Sequence, residues 1–270
     1  MVIAGIGQAG KEIAKLFKPH TKNYTILIYD ENDGLESKKT PEEYDSIDIK
    51  IDAKTLKKQN KGILFVCGSG KVAGVTLRVL EALSSLKMTV VYIVPDLEFS
   101  SREERTRHKI HFSILQEFTR SGKIEEMIIL SNTVLLEIAG KGPISRYYEK
   151  VNYFIYSTFQ NLNYSQNVPQ NFGNLHAPKD ISRISTIGFS SFNKNEEKLL
   201  FPLDNITESC YIINIDEEDL NNDEEILPKS QKIVRDNKAK GRETSFAIWE
   251  SSDENSYYVK HYTHHIQEIK

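Results

Sequence analysis

Residues 1–17 read MVIAGIGQAGKEIAKLF. Within them GIGQAG fits the pattern G-x-G-x-x-G, with Gly5, Gly7 and Gly10 in the glycine places. A short apolar run, Val2–Ala4, precedes it and reads as a buried strand. A helical pattern follows over Lys11–Phe17, with Ile13, Ala14 and Phe17 on one face. A strand that turns through glycine into a helix presents unpaired N–H groups and the positive end of the helix dipole at one point, which suits a phosphate. A dinucleotide site of this kind also needs an acidic residue at the end of the second strand, for the ribose hydroxyls. YTILIYD, residues 24–30, supplies Asp30 there. The same glycines would also serve a strand-turn-helix that merely packs closely.

Working outward, strand-like and helix-like stretches alternate. IDIKI, Ile47–Ile51, alternates and is expected as a short strand or sheet edge. GILFVCGSG is a continuous apolar run that ends in Gly68 and Gly70. Such runs suit parallel strands covered on both faces. A helix is expected over Val75–Leu86, a strand over Thr89–Val94, a helix over Ser101–Ser121 and a strand in EEMIILSN. The SREE stretch at Ser101 has the capping-box spacing. This alternation predicts a doubly wound parallel sheet, an α/β nucleotide-binding domain over residues 1–143. The second glycine loop, CGSGKVAG, opens a second helix towards phosphate. It is not a P-loop, because Val72 stands where a magnesium-binding hydroxyl should be.

After Gly140 the pattern changes. Ile144–Leu162 reads as one long helix rich in aromatics, expected to be core packing, and a central helix is assigned to residues 144–165. Residues 166–270 then form a smaller α+β domain, built on ISTIGFSSF, SCYIINID, TSFAIWESS and SYYVKHYTH with a mixed or antiparallel sheet. The acidic stretch 216–225 is expected as a solvated loop or helix start. The formal net charge of −3 gives no basic field for nucleic acid. No apolar run approaches the ~20 residues of a membrane segment, and no signal peptide is visible. Cys67 and Cys210 read as buried thiols in a reducing compartment, which implies a cytoplasmic protein. His261, His264 and His265 lack a carboxylate or cysteine partner at metal-ligand spacing and are expected at the surface. Lys109 and His111 are expected to face solvent.

In order and spacing these stretches resemble the tubulin/FtsZ superfamily over nearly the whole chain. VIAGIGQAGKEIAKLF is similar to its first nucleotide loop, with Gln8 in the manner of tubulins. LFVCGSGKVAGVTLRVLEAL occupies the place of its signature glycine loop, GGGTG[TS]G. VVYIVPDLEFSSREERTR resembles the family's sugar-contacting stretch, and MIILSNTVLL the strand after it. VNYFIY resembles the start of the central helix and puts Asn152 at the guanine-reading asparagine. FGNLHAPKDISRI resembles the loop that enters the neighbouring subunit, and SFAIWESSDENSYYVKHYTH the last hairpin of the core. The resemblance implies GTP or GDP, with Mg, held by Gly7, Gln8, Ala9, Gly10, Gly68, Ser69, Gly70 and Gly74, with Asn152 on the base. Lys71 could add a phosphate contact as a point charge, or simply be an exposed lysine. Arg105, or Arg102, could replace the family's sugar-contacting arginine. The implied partner is a second copy of the chain, in a head-to-tail filament.

The departures from the family bear on turnover. Ser69, Lys71, Val72 and Ala73 replace signature-loop residues, and two phosphate-binding hydroxyls are lost. The stretch between Asp30 and the second glycine loop is too short for the family's γ-phosphate sensor and its helix. The loop that should carry two water-polarising carboxylates holds Asn174, His176 and Lys179, with Asp180 available only after a one-residue shift. A lysine cannot accept a proton or a hydrogen bond there, and Pro178 stiffens the loop. Three functions follow as expectations. The first is a filament-forming GTPase of weak or absent turnover. The second is an assembly protein that binds no nucleotide. The third is an NAD-dependent enzyme resting on Gly5, Gly7, Gly10 and Asp30.

Overall fold

The computed structural model describes residues 1–20, 23–38, 40–57, 59–140, 143, 146–252 and 254–268. The chain divides into two compact units, Met1–Ser157 and Thr158–Gln267.

The first unit runs β1 (Val2–Ile6), α1 (Gly7–Leu16), β2 (Thr25–Tyr29), α2 (Ala53–Leu56), β3 (Lys61–Cys67), α3 (Thr76–Ala82), β4 (Lys87–Val94), α4 (Arg102–Arg120), β5 (Glu126–Ser131) and α5 (Asn132–Ala139). It ends in the first half of α6 (Tyr147–Asn167), which the unit boundary crosses. Its strands pair in the order β2-β1-β3-β4-β5, all parallel. Every residue of β1 is buried, as are Val90 to Val94 of β4. Strands apolar on both faces can lie only between covering layers, so parallel pairing with crossover helices follows from their composition. Ser101 and Glu104 close the capping box on α4: the Ser101 hydroxyl accepts from the Glu104 amide at 3.2 Å, and the Ser101 amide donates to the Glu104 carboxylate at 2.7 Å. Phe17, at the end of α1, packs edge-on against Tyr24 and Tyr156 and so ties α1 to α6.

Three local expectations change. Ile47–Ile51 alternates in exposure but pairs with no strand, so alternation alone does not make a sheet edge there. The helix after the second glycine loop stops at Ala82, and tight turns carry Leu83 to Leu86 into β4. The aromatics of α6 are not all core. Phe159 is buried, but Tyr148 is 65% and Tyr153 60% exposed. The expected helix start at Ile144 lies outside the described residues.

The second unit holds β6 (Phe172–Asn174), β7 (Ile184–Ser191), β8 (Lys198–Leu199), β9 (Glu208–Asp216), α7 (Glu217–Asn222), α8 (Ile226–Asp236), β10 (Glu243–Ser251) and β11 (Ser256–Thr263). The order is β7-β11-β9-β10-β6, with β8 on β7. β9 and β10 are parallel and the rest antiparallel, so the sheet is mixed. All four strand-like runs of the sequence are strands. The acidic stretch starts α7, whose first turn is capped by the Asp216 carboxylate accepting from the Asp219 amide. α8 was not expected, because Pro228 in its first turn and its polar residues mask the spacing of Ile226, Ser230 and Ile233, which are its buried side. Those isoleucines pack on Tyr211, Ile213, Tyr257 and Val259.

Both cysteines are free thiols. His261 is not at the surface: it is 2% exposed on β11, bonded to Ser209 and Glu197. His111 is also buried, because it lies on the inner side of α4. His265 is exposed. Among the described residues no helix is long and apolar enough to cross a membrane, and no group of three or more His, Cys, Asp or Glu could hold a metal.

Candidate nucleotide-binding site

β1 lies between β2 and β3, so the chain winds to one side of β1 and then returns to the other. Such a switch opens a crevice at the carboxyl ends of the two central strands, where open α/β sheets take ligands. Both glycine loops leave the sheet there, one after β1 and one after β3.

In the first loop Gly7 opens α1 at φ +67°, a conformation glycine adopts without strain. Ile6 is the N-cap and provides no side-chain hydrogen bond, and the first turn carries no acidic residue. The amides of Gly7, Gln8 and Ala9 therefore meet no capping group, and Gln8 is exposed above them. Gly5 and Gly10 have a different role. A Cβ on Gly5 would lie 2.2 Å from the Gly10 carbonyl oxygen, and one on Gly10 would lie 2.2 Å from that of Phe65. These two glycines bring α1 directly onto the backbones of β1 and β3.

Asp30 ends β2 as the spacing predicts, but its carboxylate is 7% exposed and already engaged. Lys11 Nζ donates to Oδ2 at 3.1 Å, with the lysine side chain 10% exposed. The Asn32 side chain donates to the same oxygen at 3.4 Å. The sequence reading missed Lys11, since a lysine next to a glycine loop on an amphipathic helix reads as solvated.

The second loop is largely satisfied by its own unit. The amides of Gly68, Gly70, Ala73 and Val75 donate to Ile93, Cys67, Gly70 and Val72. Gly68 is pinned from below, where a Cβ would lie 2.0 Å from the Tyr92 hydroxyl and 2.7 Å from His108 Nδ1. Gly74 lies under the ring of Tyr44, 2.5 Å from where its Cβ would be. Tyr44 belongs to the 3-10 turn Pro41–Ser46, in the stretch too short for the sensor helix. Its hydroxyl donates to the Lys71 carbonyl at 2.9 Å. Val72 is buried, and its Cγ2 lies 3.7 Å from the Cβ position of Gly7, so an isopropyl group separates the two loops. Ser69 is half-buried beside the Cys67 thiol. The Lys71 side chain is 73% exposed and reaches Glu31 at 3.9 Å.

Beneath the second loop, Tyr92 hydrogen-bonds His108 Nδ1 at 2.8 Å, and His111 bonds the backbone of Gly68. Burial lowers the His108 pKa to about 4, with the neighbouring His111 adding to the shift. Burial lowers His111 as well, against the Gly68 bond that raises it. The Cys67 thiol and the Tyr92 hydroxyl are both pushed up by burial.

Arg105 is exposed, and its Nε donates to the Ser100 carbonyl at 2.9 Å. Asn152 is half-buried on α6 within the first unit. Asn174, His176 and Asp180 belong to the second unit, and all three are exposed. Their segment is tied down by its backbone. The His176 amide donates to Ser245 Oγ at 3.2 Å, and the Lys179 amide to the Glu208 carboxylate at 3.0 Å. Lys179 Nζ pairs with Glu243 at 2.6 Å.

The fold built by these elements is the tubulin/FtsZ-like fold. An FtsZ dimer from M. jannaschii aligns at a TM-score of 0.68 and 11% identity, over 97% of this chain and 87% of that one. TubZ from Bacillus thuringiensis serovar israelensis, solved as a GTPγS-form protofilament, aligns at 0.65 and 15% identity, over 97% and 86%. CetZ from Methanosaeta thermophila aligns at 0.64 and 11% identity, over 98% and 86%. No family model matches the sequence, and no curated protein does.

The residues present fit a guanine nucleotide in part. The uncapped start of α1 suits a phosphate, whereas Val72, Tyr44 and the internal bonds of the second loop leave little of a phosphate clasp. The donor set for magnesium does not fit: Asp30 is paired with Lys11, Glu31 faces Lys71, and Val72 has no hydroxyl.

Proposed function

We propose that this chain is a self-assembling protein of tubulin-like type that holds a guanine nucleotide weakly and hydrolyses it slowly or not at all. The observation that carries the binding half is the uncapped N-terminus of α1, opened by Gly7 at positive φ beside the switch point of the sheet. Gly7, Gln8, Ala9 and Gly10 would meet phosphate, and Asn152 would read the base. That side chain makes no hydrogen bond among the described residues. Filament formation is supported by the fold, since TubZ of the same fold is solved as a protofilament.

Slow or absent hydrolysis rests on the loop of the second unit. Asp180 is the only carboxylate among its candidates, and Lys179 is held by Glu243. A water-activating group must accept a proton or orient the water by accepting its hydrogen bond. The dinucleotide reading is disfavoured because Asp30 is buried and neutralised by Lys11, so its carboxylate is not offered to ribose hydroxyls. A second reading, assembly without nucleotide, is favoured by Val72 and Tyr44, which fill the second loop with the protein's own atoms.

Calorimetric titration of nucleotide-stripped protein with GTP, GDP and NAD separates these readings, with light scattering to follow assembly. Guanine-nucleotide binding that is lost in Asn152→Ala supports the proposal. Assembly with no binding at millimolar nucleotide selects the second reading, and tight NAD binding overturns both.

A further inference from the structure

The first unit carries a cavity at the end of its sheet away from the glycine loops. β1, β3, β4 and β5 run parallel, and both glycine loops stand at carboxyl ends. The cavity lies at amino ends, where Lys87 and Met88 open β4 and where Ile124 and Glu125 lead into β5. Residues of α3 and of the last turn of α4 complete its lining, and its volume is about 610 Å³. Cavities of this size take one small organic molecule. Gly122, at φ +77°, turns the chain out of α4 beside it, with no atom within 4 Å of where its Cβ would stand.

The floor is apolar. Leu80, Leu86, Met88 and Ile124 are otherwise buried residues that line it, and Leu77 and Phe118 are half-buried beside them. The rim is charged and balanced, with Arg78, Lys87 and Lys123 set among Asp45, Glu81 and Glu125. Its cations are already engaged. Arg78 Nη1 donates to the Glu81 carboxylate at 2.5 Å, and its Nε to the Ile47 carbonyl at 3.1 Å. Lys87 lies 3.8 Å from Glu125. Lys123 Nζ stands 4.6 Å from the centre of the Phe118 ring.

These contacts select the charge of an occupant. An anion would have to take a cation from its partner and would meet three carboxylates. A cation would meet three positive groups. Either would lose hydration over an apolar floor without a free counter-charge. A neutral apolar body carries neither cost, and it removes leucine, methionine and phenylalanine surface from water. We propose that this cavity binds a small neutral molecule with an aromatic or branched-alkyl body. The Met88 thioether and the Phe118 ring both suit an aromatic face. The site uses neither glycine loop, so it stands or falls apart from nucleotide binding.

The chain has three methionines, and Met88 alone of them lines the cavity. The test is NMR of the full chain, labelled with carbon-13 at the methionine methyls and titrated with indole as a neutral aromatic probe. Met127, buried in β5, and Met1 serve as internal references. A saturable shift of Met88 alone is expected, with nuclear Overhauser contacts from indole to its methyl. Indole-3-acetate and tryptamine carry the same ring with opposite charges, and each should bind about tenfold or more weakly than indole. Ser84 is exposed and lines the cavity, so Ser84→Trp should lower the affinity for indole while an unchanged Met127 signal reports an intact fold. No saturable Met88 shift, equal shifts at all three methyls, charged probes that bind as tightly as indole, or parent-like binding by Ser84→Trp would each overturn the proposal. A Met88 signal that moves with protein concentration alone would overturn it too, and would make this face a contact between copies of the chain.

Discussion

Lys11 and Asp30 show how one pair of residues changes the reading of a site. Asp30 was legible, because an acidic end to the second strand is part of a known pattern. Lys11 was not, since nothing in a linear sequence says that a helix turns a lysine inward to a carboxylate nineteen positions away. The pair is nearly sealed from solvent, so each charge depends on the other. Removing one partner of a buried ion pair leaves an uncompensated charge and typically costs about 3–5 kcal/mol, whereas replacing both with apolar groups is often neutral. Lys11→Met should therefore lower the unfolding free energy by about 3 kcal/mol in urea titrations. Lys11→Met with Asp30→Leu should return to within about 1 kcal/mol of the parent. If both variants lose the same amount, the pair is not a mutually dependent unit. The same pairing explains why a glycine pattern with a well-placed aspartate is a weak sign of NAD.

At the scale of elements, the second glycine loop is the clearest case of a motif that packs rather than binds. Its glycines were legible, but the reason for Gly68 lies on α4 and β4, and that for Gly74 in Tyr44. The capping box that starts α4 could be read from SREE. The inward side of that helix could not, because His108 and His111 carry rings that suit either face. These histidines couple the loop to pH. Their pKa values are lowered from 6.5, to about 4 for His108, chiefly by burial. The unfolded chain then binds more protons than the folded one below pH 6.5, so stability is complete above that value. It is lost as pH falls towards about 4. The His108 shift alone corresponds to about 3 kcal/mol. Urea unfolding across that window should show the loss, and His108→Gln should flatten the profile by that amount. An unchanged slope in the variant would mean that the ring is not held neutral by its site.

For the whole molecule, the fold was legible from the order of seven short resemblances, none of them specific alone, and structures at 11% and 15% identity share it. Strand order and alternation survive such divergence because they depend on apolar patterning, while individual site residues need not. What sequence could not supply was exposure in the loop of the second unit. Phe172 is 46% and Ile181 63% exposed, at either end of a segment that also exposes Asn174, His176 and Asp180. Backbone bonds to Ser245 and Glu208 hold the segment, so its side chains are presented without a large ordering cost on contact. If assembly buries this segment against a second copy, Ile181→Glu places an unpaired carboxylate in the contact. The critical concentration for pelleting should then rise by about tenfold or more, equivalent to at least about 1.4 kcal/mol. The unfolding free energy should stay within about 0.5 kcal/mol, as for other exposed substitutions. Sedimentation of the variant beside the parent at equal concentration checks both halves. Normal pelleting of a folded Ile181→Glu protein would remove this loop from the assembly contact.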